Sequence, residues 1–444
     1  MGAPLIWGWR QMPNLEPHCL SATDIVRMVE RGELTAEAVV ASCLERIVVR
    51  EPVVRAWAFL AGEAALALAR AFDRAGRKRL LGGVPFGLKD IFDAARMPAT
   101  YGSPIYTGWW PPSDASAAAL PKAAGGILLG KTITTEFANR QPGPTANPRD
   151  PAFTPGGSSS GSAAAVADFM VPLAIGTQTG GSVIRPAAYC GVVGFKPSFG
   201  LFPPAGMKIN TETLDTVGIM ARGVADIALF RAAVMAIPYD PPAMPQTPPR
   251  LGLCRSPHWD DAEPEGRAVL EAAADCLAAA GAKIADTAFP PECAAADDIQ
   301  QTLGAFEGLR NHMPELYRHE ALLSPRLREE KIALGRKLSL DQFRAAYLAA
   351  EKARVAAREW AGECDAILTL PAPGQAPRGL ADTGSAVFNA PWTQFAMPCL
   401  TLPAGHGPDG LPVGVQLAGR RHDDARLLEV GLWVEHRLGR GGQP

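Results

Sequence analysis

The sequence lacks the patterns that mark several common classes of protein. No uninterrupted apolar run reaches the roughly 18 residues that a membrane-spanning helix needs. No run of like charges occurs, and the formal net charge is −2, so neither a nucleic-acid footprint nor a basic membrane-binding patch is present. The segment Met1–Arg10 has neither the basic start nor the small-residue cleavage site of a signal peptide. We therefore expect no membrane or nucleic-acid partner, and a cytoplasmic location.

Patterns for metal and disulfide chemistry are also missing. The 8 cysteines are scattered, none forms a Cys-x-x-Cys pair, and no His-Glu-x-x-His occurs. In a chain of 444 residues this usage is typical of reduced thiols in a cytoplasm. The histidines show no metal-ligand spacing, so we expect neither a metal nor another cofactor.

Two glycine-serine segments are the most informative feature that is present. They are Gly156–Ser162 and Gly176–Ser182, and a lysine lies upstream in the segment Gly83–Asp90. Glycine tolerates positive φ and lets backbone N–H groups approach a substrate closely. A lysine paired with serine is a known variant of the Ser-His-Asp arrangement, so these segments are sufficient for a serine hydrolase that needs no histidine.

The three segments, in this order, resemble the amidase signature family, and the resemblance covers most of the chain. It implies that Ser182 is the nucleophile, that Ser158 lies on a cis peptide bond and relays a proton, and that Lys89 is the base. The segment Gly410–Leu417 is similar to the C-terminal signature of the family. The form Thr-Gln-Thr-Gly-Gly-Ser is similar to a branch that includes malonamidase-type enzymes.

A lysine can act as a base only when it is neutral. Lys89 is flanked by apolar residues, and burial lowers the pKa of a lysine by disfavouring its charged form. The flanking residues are Val84, Pro85, Phe86 and Leu88. We expect Ser182 to attack a carbonyl and form an acyl-enzyme, with the backbone N–H groups of its own loop as the oxyanion hole. Besides Ser182, that loop contains Thr179, Gly180 and Gly181.

Two positions are candidates for substrate binding. Most members of the resembled family have Asp where this chain has Gln178, and Gln cannot carry charge. Arg185 follows the nucleophile by three residues, where the malonamidase-type resemblance implies recognition of a substrate carboxylate. An internal brace of the loop is the alternative role for Arg185, and the sequence leaves both open.

Two further motifs resemble unrelated active sites. The segment Gly125–Thr132 fits the nucleotide-binding Walker A pattern, but its central residues look like a strand rather than a phosphate-binding loop. The segment Gly157–Gly161 fits Gly-x-Ser-x-Gly with Ser159 central, but a proline-rich loop precedes it where a nucleophile elbow needs a strand. We expect neither a nucleotide site nor an α/β-hydrolase.

Helical and strand patterns alternate along the chain, which predicts an α/β fold. The resemblance implies a central mixed β-sheet with helices on both faces and a helical cover over the site. We expect a single domain that has a helical lead-in (1–80), a catalytic core (82–235), a Pro-rich linker (236–250), a mostly helical cover region (251–362) and a C-terminal part of the core (363–444). Ser21, Thr35 and Ser339 are predicted helix caps.

The sequence thus predicts a serine amidohydrolase that cleaves a C–N bond of a small amide, anilide or carbamate. Aromatic residues in loops could line a pocket for an aryl group and favour urethanase activity, or could belong to the core. They are Tyr101, Tyr106, Trp109, Trp110, Phe137, Phe153, Trp392 and Phe395. Two alternatives stay open: the catalytic A-type subunit of a tRNA-dependent amidotransferase, and a non-catalytic binder on the same scaffold. A homodimer is also left open.

Overall fold

The computed structural model describes residues 16–76 and 78–439. The segment Met1–Arg10, for which we predict no signal peptide, lies outside these residues. The helix caps that the sequence predicts are confirmed: the hydroxyl groups of Ser21, Thr35 and Ser339 each accept a backbone N–H in the first turn of the helix that follows. Ser339 and Gln342 form a reciprocal capping box.

Within the described residues, eleven strands form a single sheet in the order β1-β3-β2-β4-β6-β5-β10-β11-β9-β7-β8. Their bounds are β1 (Trp57–Leu60), β2 (Pro85–Lys89), β3 (Ile127–Thr132), β4 (Leu173–Gln178), β5 (Val193–Lys196), β6 (Thr216–Ala221), β7 (Arg250–Cys254), β8 (Lys283–Thr287), β9 (Ala366–Thr369), β10 (Cys399–His406) and β11 (Pro412–Ala418).

The sheet is mixed. Strands β3, β2 and β4 are parallel neighbours, as are β9, β7 and β8, while the strands between them pair antiparallel. Every residue of β2 to β6 is buried, so helices must cover both faces of the sheet there. The predicted α/β class, with a central mixed sheet and flanking helices, is confirmed.

The helices run from the lead-in through the core to the C-terminus. Their bounds are α1 (Ala22–Glu30), α2 (Ala36–Val54), α3 (Gly62–Ala75), α4 (Ser116–Ala123), α5 (Ser160–Ala167), α6 (Ile184–Cys190), α7 (Val224–Met235), α8 (Pro264–Ala279), α9 (Ala296–Asn311), α10 (Met313–His319), α11 (Ala333–Gly335), α12 (Leu340–Trp360), α13 (Ala390–Gln394) and α14 (Asp424–Leu438).

Helix α5 is built almost entirely from Ser, Gly and Ala, and all of its residues are buried. Such small side chains let the helix contact α6 and the strands β2 to β4 closely. The serine segments therefore lie beside the parallel strands β2 and β4, whose carboxyl ends share one edge of the sheet. In the predicted cover region (251–362), strands β7 and β8 join the central sheet. Helices α9 to α12, with a π-helical turn at Leu327–Ile332, form the part that we call the cover from here on.

Candidate active site

Lys89 is the last residue of β2 and is completely buried. Its Nζ donates hydrogen bonds to Ser158 Oγ at 2.7 Å and to Thr177 Oγ1 at 2.6 Å. Burial lowers the pKa of Lys89 to about 7, against a smaller opposing effect of the Asp215 carboxylate. A large fraction of this lysine is therefore neutral near pH 7, as the apolar flanks predict.

Ser158 follows a cis peptide bond between Gly157 and Ser158, as the family resemblance implies. Its side chain is buried, and the residue lies two positions before the start of α5. The backbone of the next residue ties this segment to the second glycine-serine segment, because Ser159 N donates to Ser182 O at 3.3 Å. Fold and hydrogen bonding thus bring Lys89, Ser158 and the Ser182 loop into one place.

Ser182 lies two residues before α6 and is 8% exposed, whereas Lys89 is 0% exposed. It lines a cavity of about 970 Å³ together with Thr179, Gly180 and Gly181. Within the described residues, neither the Ser182 hydroxyl nor the backbone N–H groups of these four residues makes a hydrogen bond to protein. The loop therefore presents a hydroxyl group and a row of N–H donors toward the cavity, which is the arrangement that an acyl-transfer site needs.

Asp215 and Asn389 are among the side chains that hold this loop and that the sequence did not predict. Asp215 accepts a hydrogen bond from Thr179 Oγ1 at 2.6 Å. Asn389 packs against Gly181, and its Oδ1 has no hydrogen-bond partner within the described residues. Asn389 Nδ2 donates to Gln416 Oε1, which belongs to the C-terminal signature segment, at 3.0 Å. The C-terminal signature segment thus supports the nucleophile loop through Asn389.

Gln178 is buried beneath the loop and does not line the cavity. Its Oε1 accepts the backbone N–H groups of Val183 and Ile184 at 2.9 and 3.0 Å, and its Nε2 donates to Thr393 at 3.0 Å. A neutral amide can satisfy both roles at once, because it offers an acceptor and a donor. We therefore propose that Gln178 positions the start of α6 rather than binding substrate.

Arg185 lines the cavity but directs its guanidinium at the protein. Its terminal nitrogens donate to Gly384 O at 2.9 Å, to Gly157 O at 2.6 Å and to Thr383 Oγ1 at 3.2 Å. Its Nε is buried without a partner within the described residues. These contacts favour the brace over carboxylate recognition, because the groups that would bind a carboxylate already hold two loops together.

Most of the residues that line the cavity have polar or charged side chains. Positively and negatively charged side chains of the core, of the cover and of the loop at 382–387 line the cavity. None of the described Phe, Tyr and Trp residues lines it. Its charged members are Arg140, Arg185, Asp297, Asp298, Arg326, Glu330, Lys331 and Asp382. Such a wall suits a small polar substrate better than an aryl group.

The aromatic residues named above pack elsewhere. Tyr101, Phe137, Phe153, Trp392 and Phe395 are buried in hydrophobic clusters, and Trp392 and Phe395 contact each other and Phe289. Tyr106 contacts Tyr101 and Phe137, while Trp109 and Trp110 are exposed to solvent outside the cavity wall. The structure thus favours the core alternative over an aryl pocket.

Both deceptive motifs have structural roles. Residues Ile127–Thr132 of the Walker-like segment form β3, and Lys131 is buried in an ion pair with Asp90 at 2.5 Å. Ser159 Oγ, at the centre of the Gly-x-Ser-x-Gly match, is fully buried and hydrogen-bonded to the backbone of Thr177. Neither Lys131 nor Ser159 is therefore free to serve the function that its motif suggests.

Comparison with models of known protein families identifies a family whose model matches most of this chain. The Amidase family model matches residues 38–428. The chain belongs to the amidase family. Like the family as a whole, this amidase is an enzyme that cleaves C–N bonds, and its fold is that of the solved amidases.

Relatives of this amidase include both amidotransferase components and solved amidases. It is 34% identical to the A subunit of glutamyl-tRNA(Gln) amidotransferase from Chloroflexus aggregans, over 94% of this chain and 96% of that protein. It is 27% identical to the peptide amidase of Stenotrophomonas maltophilia, with a TM-score of 0.79 over 96% of this chain and 98% of the other. A chain from a vestigial protein complex connected with an s-triazine catabolic enzyme is 26% identical, with a TM-score of 0.87 over 95% and 99% of the two chains.

Residues 16–76 and 78–439 contain neither a candidate metal site nor a candidate membrane-spanning helix. No group of three or more His, Cys, Asp or Glu side chains is placed to hold a metal ion. No helix in this part of the amidase combines the length and the apolar character needed to cross a membrane.

Proposed function

We propose that this amidase hydrolyses a small polar carboxamide through an acyl-enzyme on Ser182, with Lys89 as the base and Ser158 as the proton relay. The observation that carries the proposal is the Lys89 Nζ to Ser158 Oγ hydrogen bond of 2.7 Å at a fully buried lysine with a lowered pKa. A buried amine that is neutral near pH 7 can accept a proton through a bridging hydroxyl group.

The chemistry follows from these positions. Ser182 Oγ attacks the amide carbon while its proton passes to Ser158, and the Ser158 proton passes to Lys89 Nζ. Negative charge develops on the carbonyl oxygen, where the N–H groups of Thr179, Gly180, Gly181 and Ser182 are available as donors; each such donor contributes about 3 kcal/mol in comparable sites. The relay then runs backward and protonates the leaving nitrogen, the C–N bond breaks, and water hydrolyses the ester.

The curated relatives support a second candidate, the catalytic subunit of a tRNA-dependent amidotransferase. The Chloroflexus protein bears that name and aligns with this chain over nearly its whole length. Sequence similarity therefore favours this alternative over a stand-alone hydrolase of small amides. Both candidates use the same cavity and the same three residues, and they differ in whether the released ammonia passes to a partner protein.

Product release by the purified chain tests the proposal, measured as ammonia from the primary carboxamides, as aniline from the anilide and as phenol from the aryl carbamate. The panel contains glutamine, other aliphatic carboxamides, an anilide and an aryl carbamate, with Ser182→Ala as the control. Because most side chains on the cavity wall are polar and no described aromatic residue lines it, we expect Ser182-dependent turnover of the aliphatic carboxamides and slower turnover of the anilide and the carbamate. Turnover of glutamine only when partner proteins are added would support the amidotransferase role. Turnover that persists in Ser182→Ala would refute the mechanism.

A further inference from the structure

Lys331 is a cavity-lining lysine that the proposed chemistry does not use. It lies in the π-helical turn Leu327–Ile332 of the cover, and its stem packs against Gly308 of α9. A Cβ atom at Gly308 would lie 2.3 Å from Lys331 Cε, closer than real contacts allow. Glycine at this position therefore leaves the space that the lysine side chain needs to reach the cavity wall.

The Lys331 ammonium has only neutral hydrogen-bond partners. Its Nζ donates to Asn210 Oδ1 at 2.6 Å and to Thr211 Oγ1 at 3.4 Å. Among the described residues, the hydrogen bonds of this Nζ involve no carboxylate. An ammonium group carries three N–H donors, so one more acceptor can bind.

The same network leads to the nucleophile loop. The backbone N–H groups of Asn210 and Thr211 donate to Asp215 Oδ2 at 2.7 and 3.0 Å, while Asp215 Oδ1 accepts from Thr179 at 2.6 Å. The turn that holds the ammonium and the loop that precedes Ser182 are thus fixed to one carboxylate. Lys331 and Ser182 line the same cavity, so a substrate that fills it meets both.

The other cations of the cavity wall are engaged with protein groups. Arg140 pairs with Glu330, Arg326 pairs with Asp382, and Arg185 binds backbone carbonyls. Burial lowers the pKa of Lys331 to about 8, against the opposing effect of the Asp215 and Glu307 carboxyl groups that face it. Most of the lysine is therefore charged at neutral pH.

We propose that Lys331 binds a carboxylate carried by the substrate and so selects acid amides. This inference rests on the proposed function in one respect, that substrate occupies the Ser182 cavity. It assigns to the cover the role that the sequence analysis considered for Arg185.

The first test measures binding without turnover. Succinate, a dicarboxylate that has no amide to hydrolyse, is titrated into the wild-type chain, Lys331→Met and Lys337→Met at pH 7 by calorimetry. Lys337 is an exposed lysine of the cover and controls for the loss of one positive charge. We expect affinity to fall at least about tenfold in Lys331→Met and to be unchanged in Lys337→Met. Undetectable binding by the wild type, or equal binding by Lys331→Met, would overturn the proposal.

The second test compares two amides that differ only in the group remote from the reaction. Succinamate carries a carboxylate where succinamide carries a neutral amide. We expect Lys331→Met and Lys331→Gln to lower kcat/KM for succinamate about tenfold, mainly through KM, and to change succinamide less than about threefold. An equal loss on both substrates would instead make Lys331 a positioning residue for the Asn210 turn, and would overturn the proposal.

The two proposals fail in distinguishable ways. Lys331-dependent succinate binding by a chain that hydrolyses no amide would refute the proposed function and leave the carboxylate site standing. Ser182-dependent hydrolysis with no dependence on Lys331 would refute the carboxylate site alone. Thermal unfolding of each variant shows whether a loss comes from the site or from the fold.

Discussion

Gly181 lies directly against Asn389: a Cβ atom at Gly181 would be 2.3 Å from Asn389 Oδ1 and 3.0 Å from Asn389 Cβ. The neighbouring Gly180 has ordinary space, since a Cβ there would come no closer than 3.7 Å to Ala386 and 3.8 Å to Gln300. Asn389 cannot retreat easily, because it is fully buried and bonded to Gln416. One glycine of the pair is therefore required by packing and the other is not.

We predict that Gly181→Ala and Gly180→Ala differ sharply in activity. The alanine at 181 must push the nucleophile loop away from Asn389, and a displacement of about 1 Å at a reacting group can lower the rate about 100-fold. Steady-state kinetics on the best carboxamide measures kcat for both variants. Equal activity of the two variants would contradict the packing argument.

Ser182→Ala should lower kcat by on the order of 1000-fold or more, because the variant lacks the hydroxyl group that we propose forms the acyl-enzyme. Ser160→Ala is the matched control: Ser160 belongs to the first glycine-serine segment, and its Oγ makes only a 3.4 Å contact with Ile133 O. Mass spectrometry of the chain after quenching should show an acyl adduct in Ser160→Ala and none in Ser182→Ala. An adduct on Ser182→Ala would contradict the assignment.

The rate should rise with pH through about 7, because the pKa of Lys89 lies near that value and only the neutral amine accepts a proton. Below this pH the lysine is charged and the enzyme should be inactive. Above it, kcat/KM should reach a plateau. Lys89→Met should remove nearly all activity at every pH. A flat profile in the wild-type chain, or substantial activity in Lys89→Met, would refute the lysine base.

Asp215→Asn should move the rise in activity to lower pH. The Asp215 carboxylate favours the charged form of Lys89 and raises its pKa, so the neutral residue should lower that pKa further. Glu212→Gln removes the same charge from an exposed position three residues earlier and serves as the control. The pH dependence of kcat/KM for both variants decides the question, and a rise shifted to higher pH in Asp215→Asn would contradict the electrostatic argument.

The features that the sequence predicts correctly are those whose signal is local or is carried by a motif. Helix caps such as Ser339 depend on neighbours three residues away, and the apolar flanks of Lys89 predict its burial. Thr177, Asp215, Asn389 and Lys331 were missed because their roles arise from contacts between distant segments, and a lone polar residue gives no pattern. The loop aromatics were ambiguous for the same reason, since the sequence alone does not distinguish a ring in a pocket from a ring in a core.

Strand β10 pairs with β5. Asn389, which supports the nucleophile loop, immediately precedes α13, the helix that comes before β10 in the chain. All the groups that we propose to do chemistry belong to the first half of the polypeptide, yet their support is synthesised near its end. A ribosome-bound nascent chain should therefore acquire activity only after β10 and β11 emerge. An N-terminal fragment that ends after α7 should be inert, and adding the missing half in trans should restore turnover if the two halves assemble.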